Sequence, residues 1–495
     1  MITKTAIFKD LLKSLPHIVW GSFLALCLLS GCMKDDEYST SASDRLSFST
    51  DTVNLDTIIS GQATNTYTFE VYNHNKKAIR ISSVYLKNGA NSDFHVNVDG
   101  VYLEGGSASD IEIGAEDSIR VFLMANATVY DSDDPVKTQD KLVFVTEGGA
   151  QQEVTLIAYG QDVIPLNAIT LTNDTTLSAQ RPYLVYDSLV VAEGVTLTVK
   201  AGVKFYFHPD ANLIVHGTLI ANGTTNNNVM MRGDRLGYMF SQQPYDRIPG
   251  QWGGVIFTSE SYGNHLNYCD IHSGTFGIQC DSSDTGLDKL TLENSVVHNV
   301  SGDALSAKSS KVFVGNSQIT NAGGNCVTLL GGDNTFVHCT IANFYAFSTG
   351  RGVALYYSNE DGSSRLPLEN ATFMNCLITG YSTDEIVGSQ STSHTSDAFN
   401  YLFQNCLLDT PEVEGDLIQN CLWDNDDHEV YREGNFSPEF DLDQLIFTFG
   451  LDARSQAVNS ADASIANSYY PYDLNGRSRL SDDGPDIGCY EYIEE

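Results

Sequence analysis

Proton abstraction by a cationic base and acid–base chemistry by paired carboxyls set the search for reactive residues in this sequence. Taking a proton from beside a uronic-acid carboxylate needs a cation on the carboxylate and a Lys or Arg as base. Lys308 and Arg351 are the cations that neighbouring segments could bring to one face, with Lys289, Lys311 and Arg365 nearby in sequence. Hydrolysis of a glycosidic bond needs two carboxyls at a set separation. Asp281, Asp284 and Asp303 could lie near one another, although Asp between strands is ordinarily a turn former. Asp303, Lys308 and Arg351 are therefore catalytic candidates by residue type, with no signature around them. Sugar binding without catalysis needs aromatic faces beside planar polar groups. Tyr356 and Tyr357, just after Arg351, are the candidates for that role.

The densest acidic cluster is "WDNDDHEVY", Trp423 to Tyr431. Asp424, Asp426 and Asp427 offer oxygen ligands that suit calcium, the one cation this stretch would accommodate. The Gly and distal Glu of an EF-hand loop are missing. There is no C-x-x-C and no His pair at ligand spacing, so no metal site is expected and no cofactor is implied. The acidic balance, 27 Lys+Arg against 63 Asp+Glu for a formal charge of -36, excludes a phosphate-binding surface and hence a nucleic-acid partner.

A repeat must position these residues. "LNYCDIHSG", "LENSVVHNV", "FVGNSQITN", "FVHCTIANF", "TFMNCLITG", "LFQNCLLDT" and "LIQNCLWDN" align on one small residue. It is Cys269, Ser295, Ser317, Cys339, Cys376, Cys406 and Cys421 in turn, with a spacing near 22 between the second, third and fourth. That period fits one turn of a coil, and two longer later intervals leave room for insertions. A narrow bend admits only a small inward residue, so these cysteines should be reduced core residues rather than disulfides. Asn294, Asn316, Asn375, Asn405 and Asn420 precede the small position. They should form a ladder bonding coil to coil and satisfying backbone groups left unpaired at the bend. Trp252, in "PGQWGG", should pack the start of the coil.

Upstream the rhythm differs. From residue 46 to about 163, short runs such as "TYTFEVYNH", "AIRISSVYL" and "SIRVFLMAN" alternate apolar and polar residues between turn residues, and none holds Cys. Period two over several short runs predicts an antiparallel β-sandwich. The chain is thus predicted all-β: a sandwich over 46–163, then a parallel β-helix solenoid over 164–495.

Before the sandwich, Lys4, Lys9 and Lys13 precede an apolar run from Ile18 to Leu29, too short to span a bilayer. Leu29-Ser30-Gly31-Cys32 resembles the lipobox of bacterial lipoproteins. The resemblance implies a signal peptide over 1–31, lipid on Cys32 and a tether over 32–45. Lys34, Asp35, Asp36 and Glu37 resemble the export signal of Bacteroidetes lipoproteins, which implies an outer-membrane anchor and a chain facing the cell exterior.

The sandwich resembles the immunoglobulin-like modules that precede larger domains in bacterial surface proteins, usually spacers or adaptors. The coil resembles right-handed β-helices of the pectate-lyase-like class, which includes lyases, polygalacturonase-like hydrolases and noncatalytic adhesins. The Asn-Thr-Asp, Asp-Asp and Gly-His-Gly motifs of the hydrolases are missing at matching positions. Asp473, Gly476, Arg479, Asp486, Ile487, Gly488, Tyr490 and Glu491 resemble the C-terminal segment of Bacteroidetes β-helix proteins, with Cys489 where Ala is usual. That likeness implies a cap closing the open end of the coil, with Arg479 paired to Asp486 or Glu491. The expected function is noncatalytic binding of a polysaccharide or a surface protein complex. The competing expectation is a carbohydrate-active lyase or hydrolase.

Overall fold

A computed structural model describes residues 37–240, 243–362, 364–441 and 445–492. Cys32, Lys34, Asp35 and Asp36 lie outside the described residues. Glu37 lies within them and pairs with Lys77 at 2.9 Å. Among the described residues no helix is long and apolar enough to cross a membrane. The chain divides into two compact units.

The first unit holds most of an antiparallel sandwich. One sheet orders Ser47–Phe48, Tyr67–Asn73, Asp117–Ala125, Phe94–Val98 and Val101–Tyr102. The other runs from Thr52–Ile59 through Gln151–Gln161 and Val136–Thr146 to Ile79–Leu86. Alternation does the work here. In Asp117–Ala125, Ile119, Val121, Leu123 and Ala125 are buried, while Arg120 and Phe122 between them face out.

The second unit is a right-handed parallel β-helix whose coils carry three strands each. One coil is Asp288–Glu293, Val296–Val300 and Leu305–Lys308; the next is Lys311–Gly315, Gln318–Ala322 and Val327–Leu330. Equivalent residues pair in parallel register, so Val297 lies beside Ile319, then Ile341, Ile378 and Leu408. All five are buried in one continuous core. Phe336, Phe373 and Phe403 stack in the same way, with ring centroids 4.9 Å apart at each step. Trp252 packs at the start of this core, stacked on Phe207 at 4.2 Å with its indole N–H donating to the His272 carbonyl at 2.8 Å.

The corner between the first two strands of each coil explains the repeat. Asn294, Asn316, Asn375, Asn405 and Asn420 all have φ between 48° and 55°. Asn tolerates this left-handed backbone better than most residues. Tyr268 and His338 hold the equivalent place with φ of 48° and 51°. The small residue that follows does the satisfying. Ser295 Oγ accepts the Cys269 N–H at 2.9 Å, Ser317 Oγ accepts the Ser295 N–H at 3.0 Å, and Cys406 Sγ accepts the Cys376 N–H at 3.4 Å. Ser and Cys are thus selected as hydrogen-bonding groups as well as for size. Among the described residues the expected asparagine ladder forms over one step only, Asn316 Nδ2 donating to Asn294 Oδ1 at 2.7 Å, while Asn294 Nδ2 donates to Asn267 Oδ1 at 2.8 Å and Asn375 Nδ2 bonds to His338 Nε2 at 2.9 Å and to the Asp462 carbonyl at 3.1 Å. All eight described cysteines are free thiols.

The C-terminal segment departs from the expected end cap. Its contacts run along the flank, over this corner, on coils in the middle of the solenoid. Tyr470 Oη donates to Glu293 at 2.6 Å, Arg479 Nη2 to Asn316 Oδ1 at 2.6 Å, and the Gly488 N–H to the Asn375 carbonyl at 2.9 Å. The left-handed corner leaves backbone and asparagine side-chain groups that the passing segment meets and buries. Arg479 does pair with Glu491, at 2.5 Å and fully buried.

Candidate functional site

The second strand of each coil carries the chemistry. Counted from the small corner residue, the third residue along faces outward. In successive coils it is His272, His298, Thr320, Ala342, Thr379, Asp409 and Asp424. Register places these side by side: His272 pairs with His298, His298 with Thr320, Thr320 with Ala342 and Ala342 with Thr379. The middle of the column is covered. Ala342, with Leu377 and Leu407 beside it, packs under Phe436, Phe449 and Ile487. The two ends each gather ionisable groups.

At the C-terminal end, Asp409 and Asp424 follow strands that pair Leu408 with Trp423. Both are buried. Every oxygen of Asp424 is committed: Thr379 Oγ1 donates to Oδ2 at 2.5 Å, Asn435 Nδ2 to Oδ1 at 2.8 Å, and the Arg432 N–H to both, at 2.9 and 3.1 Å. Asp409 differs. Its Oδ2 lies 3.3 Å from Arg432 Nε, yet neither atom has a hydrogen-bond partner among the described residues. Behind it Glu385 is buried, with its carboxylate accepting the Ser382 and Ala354 N–H groups at 2.7 and 2.8 Å. Burial, helped by the Asp424 carboxyl, pushes Asp409 up to about 8 against the pull of Arg432. Burial likewise pushes Glu385 up to about 7 and raises Asp424. In front lies a pocket of about 260 Å³ whose lining includes Asp409, Asp424, Asp426, Arg432, Thr410 and Tyr431.

Hydrolysis of the glycosidase kind needs two available carboxyls. Asp424 is fully engaged in holding the loop of Arg432 and Asn435, which leaves Asp409 and the exposed Asp426 as the carboxyls open to a ligand. The pocket thus offers two carboxyls, one planar cation and a ring of hydroxyl, amide and aromatic groups.

At the other end, Asp270 Oδ1 accepts from His272 Nδ1 at 2.7 Å and from His298 Nε2 at 3.2 Å. His272 Nε2 faces Asp246 Oδ1 at 3.1 Å, and Asp246 pairs with Arg232. Burial alone would lower His272, but Asp270 and Asp246 raise it to about 9. Although burial opposes it, the two imidazoles hold Asp270 well below the ordinary carboxylate range.

The sequence candidates sit elsewhere. Lys308 pairs with Asp361 at 2.6 Å, while Arg351 lies over the Tyr381 ring at 4.5 Å, so they do not share a site. Asp303 Oδ1 accepts the Asn325 N–H at 2.9 Å and staples one turn to the next. Asp281 accepts from Gln279 and Asp284 from the Gly286 N–H, each bonding locally. Tyr357 is buried, stacked with Phe399 at 5.6 Å, because alternation turns it inward; Tyr356, its neighbour, is only half-buried. Asp424 is buried and its oxygens are taken up by Thr379, Arg432 and Asn435, while Asp426 and Asp427 are exposed. Sequence reasoning missed Asp409, Arg432 and the His pair. The signal lay in the third residue after the small one, once the coils are aligned.

A family model described as "Right handed beta helix region" matches residues 253–409. A search of curated proteins finds no match. Among solved structures, the chain is similar to a protein of unknown function from Porphyromonas gingivalis W83, at 9% identity and a TM-score of 0.18 over 26% of this chain and 50% of that one. The chain thus spans about half the length of that protein. It is also similar to Dex49A from Penicillium minioluteum, at 11% identity and a TM-score of 0.21 over 73% of this chain and 76% of that one. Against the catalytic domain of a GH87 alpha-1,3-glucanase in complex with nigerose the values are 9%, 0.18, 73% and 87%. Superpositions this poor carry no information on the chemistry of the present chain.

Proposed function

We propose that this protein is a noncatalytic glycan-binding lipoprotein of the cell surface, with the Asp409–Arg432 pocket as its saccharide site. The observation that carries the reading is the ion pair of Asp409 and Arg432, 3.3 Å apart, in an open pocket lined also by Thr383, Thr410, Asn425 and Tyr431. A sugar hydroxyl donates to the first and accepts from the second, and Tyr431 at the rim offers a ring face. Buried polar groups are ordinarily hydrogen-bonded, and among the described residues Asp409 Oδ2 and Arg432 Nε make no hydrogen bond beyond their mutual ion-pair contact, which leaves them free to rearrange around a ligand. With Asp424 engaged, Asp409 and Asp426 are the carboxyls left to the pocket, and the digestion screen separates binding from hydrolysis. Lipid on Cys32 and export through Lys34, Asp35, Asp36 and Glu37 complete the proposal, with the immunoglobulin-like sandwich as spacer.

The test is a glycan array with a parallel polysaccharide-digestion screen, on the full chain and on Asp409→Asn. Binding to a glycan class is expected, weakened about two- to tenfold in the variant, since a hydrogen bond to a neutral group contributes about 0.5–1.5 kcal/mol. Release of reducing or unsaturated ends from any polymer would overturn the noncatalytic reading. Binding unchanged in Asp409→Asn would remove the site. Membrane fractionation of Cys32→Ala checks the anchor: the variant should leave the membrane fraction.

A further inference from the structure

We infer that Asp270, His272 and His298 form a binding site for a divalent metal ion of the zinc type. One nitrogen from each imidazole and one carboxylate oxygen lie within 4.8 Å of one another. Spacing along the chain hides this site, because His272 and His298 are 26 residues apart. One coil separates them, and parallel register sets them directly side by side, their rings 4.8 Å apart. Asp270 lies two residues before His272 on the same strand, so both side chains leave the sheet on the same side.

The donor atoms already stand close to coordinating distances. Tetrahedral zinc with bonds of about 2.0–2.1 Å puts its ligands about 3.3 Å apart. Asp270 Oδ1 is 2.7 Å from His272 Nδ1 and 3.2 Å from His298 Nε2. A cation entering here replaces the two shared protons, and small side-chain rotations open the set. Two imidazoles with one carboxylate suit zinc and its first-row neighbours, whereas calcium takes oxygen ligands.

The surroundings support the site independently of the three ligands. Metal-bound histidines usually donate their second N–H to a carboxylate, which fixes ring and tautomer. Here His272 Nε2 already faces Asp246 Oδ1 at 3.1 Å, and Arg232 holds Asp246 in turn. That arrangement leaves His272 Nδ1 as the metal-facing atom. The His272 side chain is 4% exposed, while those of Asp270 and His298 are each 24% exposed, so the ring is fixed from behind and the ligands open to solvent. A fourth coordination position falls on that open side. The site is separate from the Asp409 pocket and does not depend on the glycan reading.

The test uses the full chain, made without a histidine tag and freed of metal with EDTA. Titration with zinc chloride in a calorimeter should show one equivalent bound, and calcium chloride should give no heat. His298→Gln and Asp270→Asn should each weaken zinc binding at least about tenfold, and Asp246→Asn about 10- to 100-fold with the stoichiometry kept. Melting curves in EDTA confirm that each variant folds. Should one fail to fold, a zinc-soaked crystal of the unaltered chain decides, with the anomalous peak expected between the three side chains. Absence of zinc binding, unchanged affinity in folded His298→Gln, or an anomalous peak elsewhere would each overturn the inference.

Discussion

Replacing Asn316 by Ala should be among the most damaging single changes in the coil, and its size can be worked from the contacts. Asn316 is 1% exposed and sits at φ 49°. Its Nδ2 donates to Asn294 Oδ1 at 2.7 Å and to the Tyr472 carbonyl at 3.2 Å, and its Oδ1 accepts from Arg479 Nη2 at 2.6 Å. Two neutral bonds are worth about 1 kcal/mol each, and the bond to the buried guanidinium about 1.5–3 kcal/mol. Ala at a left-handed position costs about 1 kcal/mol more. The expected loss is therefore about 4–6 kcal/mol. Asn316→Gly should recover about 1 kcal/mol of it, by removing the backbone cost alone. Asn405→Ala is the control. Its φ is 55°, but its Oδ1 has no hydrogen-bond partner, so the expected loss is only about 1–2 kcal/mol. A solenoid need not unfold in one step, so native-state hydrogen exchange should accompany urea unfolding. Asn316→Ala should also raise exchange in residues 470–491, which it helps to hold. A loss within 1 kcal/mol of the Asn405→Ala value would refute this account of the corner.

Three further outcomes follow from the same contacts. Asp409 is raised from 3.8 to about 8, so the folded state holds a proton that the unfolded state has released across that interval. Its contribution to stability is greatest near pH 4 and is lost as pH rises through about 8. The melting temperature of Asp409→Asn minus that of the parent should therefore grow steadily from pH 4 to 8; a flat or falling difference contradicts it. Cys406→Ser should cost less than about 1 kcal/mol, since Ser caps the same N–H at Ser295 and Ser317, whereas Cys406→Ala strands the Cys376 N–H at about 1–3 kcal/mol. Equal losses in urea unfolding would show that size alone matters there. Trp252→Ala should cost about 3–5 kcal/mol, because it empties the stack on Phe207 and unpairs the His272 carbonyl. A melting shift of only a degree or two would refute that.

The corner was legible because stacking forces one residue type at one place in every coil. Ser and Cys recur with Asn before them, and that pattern alone fixes the period, the parallel sheets and the reduced cysteines. Its mechanism was only half legible: the asparagines are there for φ as much as for bonding, and a backbone angle leaves no mark on spacing. The sites were hidden by irregular coils. Residues 344–353 and 390–398 lie between coil strands as insertions, which breaks the alignment through which Tyr357 would be seen beneath the buried Leu329. The same insertions carry Arg351 away from the strand that holds Lys308. Asp409 and Asp424 are separated by only 15 residues, a coil too short to fit the common period.

One outward column reconciles these observations with a surface function. A face of a solenoid that meets solvent must be polar, and one that is covered must be small or apolar. Along the column the residues change from His272, His298 and Thr320 to Ala342, then to Thr379, Asp409 and Asp424. The change to Ala342 coincides with the packing of Phe436, Phe449 and Ile487 over it. The C-terminal segment therefore separates the two ends of the column. It is tied to the coil by Arg479, which donates to Asn316 Oδ1 at 2.6 Å and is braced within the segment by Glu491, and a hydrogen bond to a charged group contributes about 1.5–3 kcal/mol. A segment tied there keeps the two ends apart as separate sites. The chemistry at each then follows from its own end of the column: imidazole and carboxylate at one, carboxylate and guanidinium at the other.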